Sequence, residues 1–337
     1  MKNSAKFLQS NIIIWYIIGV CFLLGAALLG MLSGSTVISV SEVFEALFFK
    51  DVMSANGKII TFVRLPRVIA SIISGSALAV SGAVIQNVLR NRLASPGIIG
   101  INSGAGLAIT LCAAFGIYGG WQLSLISFLG AFLAALTVSF GASKWNLSKG
   151  TVILIGVALN SLLNALSDGV VILFKDAAVL SHEFKVGEFS GVTLGATLYP
   201  AIFVFISILV ILSFSKELEI LTIGDENASS LGINIKAMRG IFLVFSALLA
   251  SSSVSIAGLL SFVGLIVPHI IKGISGKKCV HHICLCALYG GGFVCMCDTL
   301  SRVIFAPFEI PVGIVMSVIG VPFFIFIILK KGREFND

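Results

Sequence analysis

The sequence predicts an all-α polytopic membrane protein, a single domain over residues 1–337 with about ten transmembrane helices. Three observations carry that prediction. Of the 337 residues, 58% are hydrophobic and only 11% are charged. A soluble domain carries about a quarter charged residues, so most of this surface must be solvated by lipid. Apolar runs of roughly 20 residues, the length that crosses a bilayer, recur from Ile12 to Leu329. The basic residues gather in the turns between those runs, which is how membrane proteins are oriented. The formal charge of +7 is accounted for by those turns. No interleaved aromatic and basic surface accompanies it, so no nucleic-acid partner is expected.

The elements follow in order. Lys2 and Lys6 precede the first span, residues 12–31. It is longer than a signal-peptide core and no small-x-small cleavage site follows, so it reads as an uncleaved span. Residues 35–58 form a polar loop, in which Ile38–Phe48 reads as a short amphipathic helix on the membrane surface. Spans 65–89 and 98–118 make a helical hairpin around the basic turn Arg90-Asn91-Arg92. Gly75, Ala79 and Ala83 lie four apart on its first helix and mark a face that a neighbouring backbone can approach. Spans 121–141 and 151–174 come next, then a polar, glycine-rich segment, 175–196, and a span at 197–214. Residues 215–239 are the longest polar interruption between spans. Spans 240–257, 259–273, 282–305 and 310–329 complete the bundle, with a basic turn at 276–282.

An even number of spans puts both termini on one side. With that side cytoplasmic, Lys50, Lys58, Arg64, Arg67, Lys175, Lys185 and Arg302 fall outside and the rest of the 22 Lys and Arg fall inside. That excess agrees with the positive-inside rule. Merging the seventh and eighth spans would put the basic tail Lys330-Lys331-Gly332-Arg333 outside.

Several polar residues stand out within this frame. Asn160, Asn164 and Asp168 lie four apart and form one stripe on the fifth span. Such a stripe faces a bundle interior or a water-filled path, or bonds to a neighbouring helix; Asn102 on the third span is similar. Asp225 and Glu226 open a short helix in the polar interruption, where carboxylates suit the positive end of the dipole, and Gly232 can end it. That segment reads either as a solvated loop or as a lever with an apolar knob, Ala228 or Leu231, for a partner to grip. Arg64, Arg67 and Arg302 lie on the outer side, against the general bias. They anchor at headgroups, pair locally as Asp298 and Arg302 can four residues apart, or dock an acidic partner. His269, beside Pro268, reads as a group that bonds a freed carbonyl.

The seven cysteines are an odd number and make a poor disulfide framework. Cys284 and Cys286, like Cys295 and Cys297, are two apart and do not share a helix face, whereas zinc pairs use longer spacings. They read as small apolar residues, and no metal site or cofactor is expected. The phosphate loop G-x-x-x-x-G-K-[ST] is absent; Gly273-Ile-Ser-Gly276-Lys277-Lys278 has the wrong spacing and reads as a basic interfacial turn. No assembled nucleophile and base points to an enzyme.

Arg64-Leu65-Pro66-Arg67, Ser81-Gly82-Ala83, Gln86, Asn91, Leu93-Ala94, Ser95-Pro96, Gly100 and Ser103-Gly104-Ala105 form one long pattern. With Phe262-Val263-Gly264-Leu265-Ile266-Val267-Pro268-His269 and Pro311-Val312-Gly313, that pattern resembles the FecCD-type permeases of ABC importers, which carry iron–siderophores, haem or cobalamin. The resemblance covers nearly the whole chain. It implies the type II ABC importer architecture: two permease copies, identical or paralogous, with two ATP-binding-cassette ATPase subunits and an external solute-binding protein. The cargo it implies is a large metal chelate, iron–siderophore foremost, crossing the plasma membrane. By position it implies docking of the binding protein at Arg64, Arg67 and Arg302. It implies a cytoplasmic gate at Asn91, Leu93 and Ser148, and ATPase coupling at Asp225, Ala228, Leu231 and Gly232. Arg92 stands where the family usually has proline, and Lys272 where it usually has arginine. A second reading from the residues is a transporter driven by an ion gradient, with Asp168, His269 or Asp298 as the coupled site.

Overall fold

The computed structural model describes residues 12–34, 36–49, 54–117, 120–144, 149–276 and 278–334. These form helices and their links, with no strand among the described residues. Seven helices are long and apolar enough to cross a membrane, and three shorter apolar helices, Ile101–Ala114, Val263–Lys272 and Val312–Phe326, match the remaining expected spans.

Helix α1 (Ile12–Leu32) lies at the periphery, with only Gly19, Ala26, Gly30 and Met31 buried. α2 (Val40–Phe44) begins the amphipathic surface segment and runs on as a wider π turn, Glu45–Phe49. A capping box starts it: the Ser39 backbone N–H donates to Glu42 Oε2 at 2.8 Å and the Glu42 N–H to Ser39 Oγ at 3.4 Å. The Ser39 backbone N–H first, then the Ser39 hydroxyl and the Asn56 amide, donate to the Glu42 carboxyl and hold it below the usual carboxylate range. α3 (Ala55–Ile59) is capped by Ser54 and leads through a π turn, Ile60–Arg64, into α4 (Leu65–Leu89). Pro66 sits in the first turn of α4, where no backbone N–H is needed.

α4 is the axis of the fold and is buried along nearly its whole length. Arg90 ends it in a left-handed conformation, φ 51°. A 3-10 turn, Pro96–Ile99, then leads into α5 (Ile101–Ala114). α6 (Gly120–Lys144) and α7 (Lys149–Leu173) follow, then α8 (Ala177–Val186) and α9 (Leu194–Ser213). α10 (Ser215–Ile223) and α11 (Asp225–Ser230) form an elbow before α12 (Ile235–Ala257). α13 (Val263–Lys272), α14 (Cys279–Val303) and α15 (Val312–Glu334) complete the chain. α12, α13 and α14 pack around α4, and α6 packs against α5 and α12.

The small-residue face of α4 meets α14: a methyl group added at Gly75 would overlap the Gly290 carbonyl, and Ala79 lies against Gly290. One turn further, Gly82 lies against Gly264 of α13 so closely that an added methyl would overlap its carbonyl. Polar groups tie α4 to two neighbours. Gln86 Nε2 donates to the Gly264 carbonyl of α13 at 2.9 Å, and Ser81 Oγ donates to the Ser246 carbonyl of α12 at 2.7 Å. The motif residues Gly82, Gln86 and Gly264 thus serve the α4–α13 contact, and Ser81 fastens α4 to α12.

The expected bounds shift in places. The seventh span begins at Ile235 rather than 240, because Asn234 caps it through the Ala237 N–H at 3.1 Å. The eighth is only the ten residues of α13, starting after Phe262 at φ 67°. The segment 175–196, read as polar and glycine-rich with no element assigned, contains α8, whose buried residues Ala177, Ser181 and Phe184 keep helical spacing. All seven cysteines are free; Cys21 is exposed, Cys284 half-buried and the other five buried.

Candidate functional site

Three constellations emerge, at one end of the bundle, midway along α7, and at the opposite end. The first lies where α4 begins and α14 ends. Asp298, fully buried, sits between two arginines: Arg67 Nε approaches its carboxylate at 2.9 Å and Arg302 Nη2 at 3.2 Å. Arg67 Nη1 also reaches Glu309 Oε2 at 2.6 Å. Arg302 Nη1 donates to the Gly30 and Ser33 carbonyls, both at 3.1 Å, and so clamps the end of α1. Arg64 Nη1 donates to the Met31 carbonyl at 2.7 Å, and its Nη2 reaches the Thr36 carbonyl and hydroxyl.

The local pair of Asp298 with Arg302 foreseen in the sequence is present. Arg67 as the second partner was not foreseen, since 231 residues separate it from Asp298. The three arginines are 3%, 5% and 3% exposed, in the order Arg64, Arg67, Arg302. They are therefore not free surface cations; the exposed member of the cluster is Glu309, whose side chain is 37% accessible. Three guanidinium groups against two carboxylates leave the cluster with an excess positive charge.

The second constellation is a cleft of about 380 Å³ between α5, α7 and the 3-10 turn, lined by Asn102, Asn160, Asn164 and Lys185 among others. Asn160 is fixed on both sides: its Oδ1 accepts from Ser103 Oγ at 2.5 Å and its Nδ2 donates to the Gly97 carbonyl at 2.9 Å. Asn102 and Asn164 line the cleft, whereas Asp168 stands exposed and pairs with Lys185 of α8 at 3.3 Å. The foreseen stripe is thus one face, but its members do different work. Little of α7 is covered by the rest of the chain.

The third constellation is the elbow. Gly224 joins α10 to α11 at φ 138°, a backbone region open chiefly to glycine. Asp225 is held by Arg239 of α12, whose Nη2 lies 3.0 Å from each carboxylate oxygen. Ala228 is fully buried beneath α11, while Leu231 projects with 63% exposure. Of the two candidate knobs, only Leu231 is available to a partner. Gly232 ends the turn at φ 77°. At the end of α4, where Arg90 approaches Gly224, Asn91 Oδ1 accepts from the Leu93 N–H at 2.9 Å and shapes the hairpin turn, leaving Leu93 half exposed. Ser148 lies outside the described residues. Sequence reasoning missed α10, although Leu218 and Leu221, three apart and buried, carry its signal.

The model of the FecCD transport family matches residues 20–330. The chain is 34% identical over 313 residues to the iron-uptake system permease protein FeuB of Bacillus subtilis, covering 92% of this chain and 93% of that one. It is 34% identical over 323 residues to the hemin transport system permease protein HmuU of Yersinia pestis, with 92% of each covered. Among solved structures it is similar to a chain described as a metal-chelate type ABC transporter in an inward-facing conformation. The TM-score there is 0.84 and the identity 26%, over 94% of this chain and 99% of that one.

Proposed function

This chain belongs to the FecCD transport family, and from that premise we infer the part it plays in a larger machine. It is a multi-pass membrane permease of an ABC importer. Its cargo is a ferric siderophore or a similar large metal chelate, a reading supported by the iron and hemin in the relatives' names. Hydrolysis of ATP takes place on two separate ATP-binding-cassette subunits that grip the elbow. A second permease copy, identical or paralogous, covers the bare face of α7, and an external solute-binding protein docks at the arginine cluster. Both termini lie on the cytoplasmic side of the plasma membrane, as the distribution of basic residues argues.

The observation that carries this reading is the elbow: a short helix with an exposed leucine at its tip, a glycine pivot before it and an ion pair to α12 behind it. A push on Leu231 turns α11 about Gly224 and passes through the pair of Asp225 and Arg239 into α12, which packs on α4. The cleft beside α7 then alternates between the two sides, with Asn160 as its fixed polar wall and Asn91 and Leu93 at its inner mouth. Reconstitution with the ATPase and binding protein tests the whole. Uptake should require both, and uptake by this chain on an ion gradient alone would overturn it.

Two narrower results are expected. Leu231→Asp should lower uptake by about tenfold, the scale of losing a buried apolar anchor at an interface, while the chain stays in the membrane and ATP hydrolysis continues. Unchanged uptake refutes the grip. Glu309→Gln should tighten docking of the binding protein severalfold, because Arg67 is then no longer paired in advance with a surface carboxylate. A docking titration at several salt concentrations measures this, and weaker or unaltered affinity counts against docking at that cluster.

A further inference from the structure

Two adjoining hollows open at the same end of the bundle as the arginine cluster, on a different flank, and the transport reading uses neither. The upper one, about 310 Å³, lies between the start of α6, α8, the loop before α9 and the end of α12. The lower one, about 440 Å³, is a groove between α6 and α9. They share Ser124, Ala196 and Ser255 and so form one continuous site.

The two halves differ in chemistry. Glu183 and Glu188 line the upper hollow, and among the described residues neither forms an ion pair. Ser127, only 1% exposed, also lines it, and its hydroxyl has no hydrogen-bond partner. At the junction, Pro200 has no N–H to give the Ala196 carbonyl four residues back in α9. The upper hollow therefore offers two carboxylates, an orphan hydroxyl and a freed carbonyl, a set that suits a cation bearing N–H groups.

The lower groove is apolar. Trp121 and Tyr199 flank it, and Phe128 stacks on Phe203 at its far end with ring centroids 5.1 Å apart. From Gly195 to Phe203 it descends about 12 Å at 1.5 Å per residue. That is under half of the roughly 30 Å hydrocarbon core, so the groove lies in one leaflet. Trp and Tyr are the residues favoured at the headgroup boundary.

We propose that the joined hollows hold one amine-headed membrane lipid, its ammonium at Glu183 and Glu188 and one acyl chain in the groove down to Phe128 and Phe203. The charge pattern selects an ammonium headgroup over an anionic one. Gly195 keeps the groove open, since a side chain added there meets nothing within 4 Å.

The test uses the full chain in detergent, washed free of lipid and then offered phosphatidylethanolamine or phosphatidylglycerol, with retained lipid counted by native mass spectrometry. Wild type should retain the ethanolamine lipid with about a tenfold preference. Glu183→Gln with Glu188→Gln should reduce that preference to near parity. Gly195→Leu should abolish retention of both lipids; leucine is a better helix former than glycine at this exposed position, and an unaltered melting curve confirms that this variant folds. Equal retention of the two headgroups by wild type, a preference that survives the double substitution, or undiminished retention by Gly195→Leu would each reduce the site to ordinary boundary lipid and overturn the proposal.

Discussion

Replacing Asp298 with alanine is expected to destabilise the folded chain by about 3–5 kcal/mol, the range seen when one partner of a buried ion pair is removed. Asp298 is fully buried and is the only carboxylate that faces both Arg67 and Arg302 among the described residues. Without it, two guanidinium groups confront each other away from water, and the carboxylate that remains, Glu309, makes its ion pair with Arg67 and acts on Arg302 only from a distance. The consequence extends past the pair, because Arg302 also binds the end of α1 and Arg67 begins α4. The readout is the thermal midpoint and the yield of monodisperse chain in detergent. Arg302→Met in the same chain should recover part of the loss, since it removes one of the charges left stranded, a non-additivity that a double-mutant cycle measures. An unshifted midpoint for the single variant would show that the cluster is hydrated and contributes little.

Gly82→Ala is the second large effect. The added methyl overlaps the Gly264 carbonyl and comes close to its Cα, and these are backbone atoms that cannot swing aside. α4 and α13 must therefore separate, and overpacking of this kind costs about 1–3 kcal/mol. Separation also stretches the 2.9 Å bond from Gln86 to that carbonyl, for which a net loss of about 1 kcal/mol is typical. Gly25→Ala is the control: a methyl there meets nothing within 4 Å, and alanine is the better helix former, so the midpoint should hold or rise. Equal behaviour of the two variants would show that the α4–α13 contact is looser than it is drawn.

The fold was readable because long apolar runs leave few alternatives in lipid, where each backbone polar group must be satisfied within its own helix. What escaped were elements whose buried faces are small or short. α8 buries Ala177, Ser181 and Phe184, a single large side chain in a polar segment. α13 is cut to ten residues by the turn at Gly258 and the left-handed Phe262, neither of which interrupts the hydrophobic pattern. At the sites, chemistry was legible and geometry was not. The residue types at Asn160 and Asp225 announced polar roles, but the bond from Asn160 to Gly97 and the pair of Asp225 with Arg239 depend on how distant segments meet. Ala228 and Leu231 are both apolar, and only the register of α11 decides which is buried.

The distribution of thiols has a practical consequence. Five cysteines are sealed within the bundle and Cys21 is the exposed one, with Cys284 half-covered. Substituting Cys21 and Cys284 with serine would leave a nearly silent background toward maleimides, with the packed sulfurs untouched. Single cysteines placed at Leu231 and Leu93 could then carry paired spin labels, and the separation between them through a turnover cycle would test the swing proposed for the elbow.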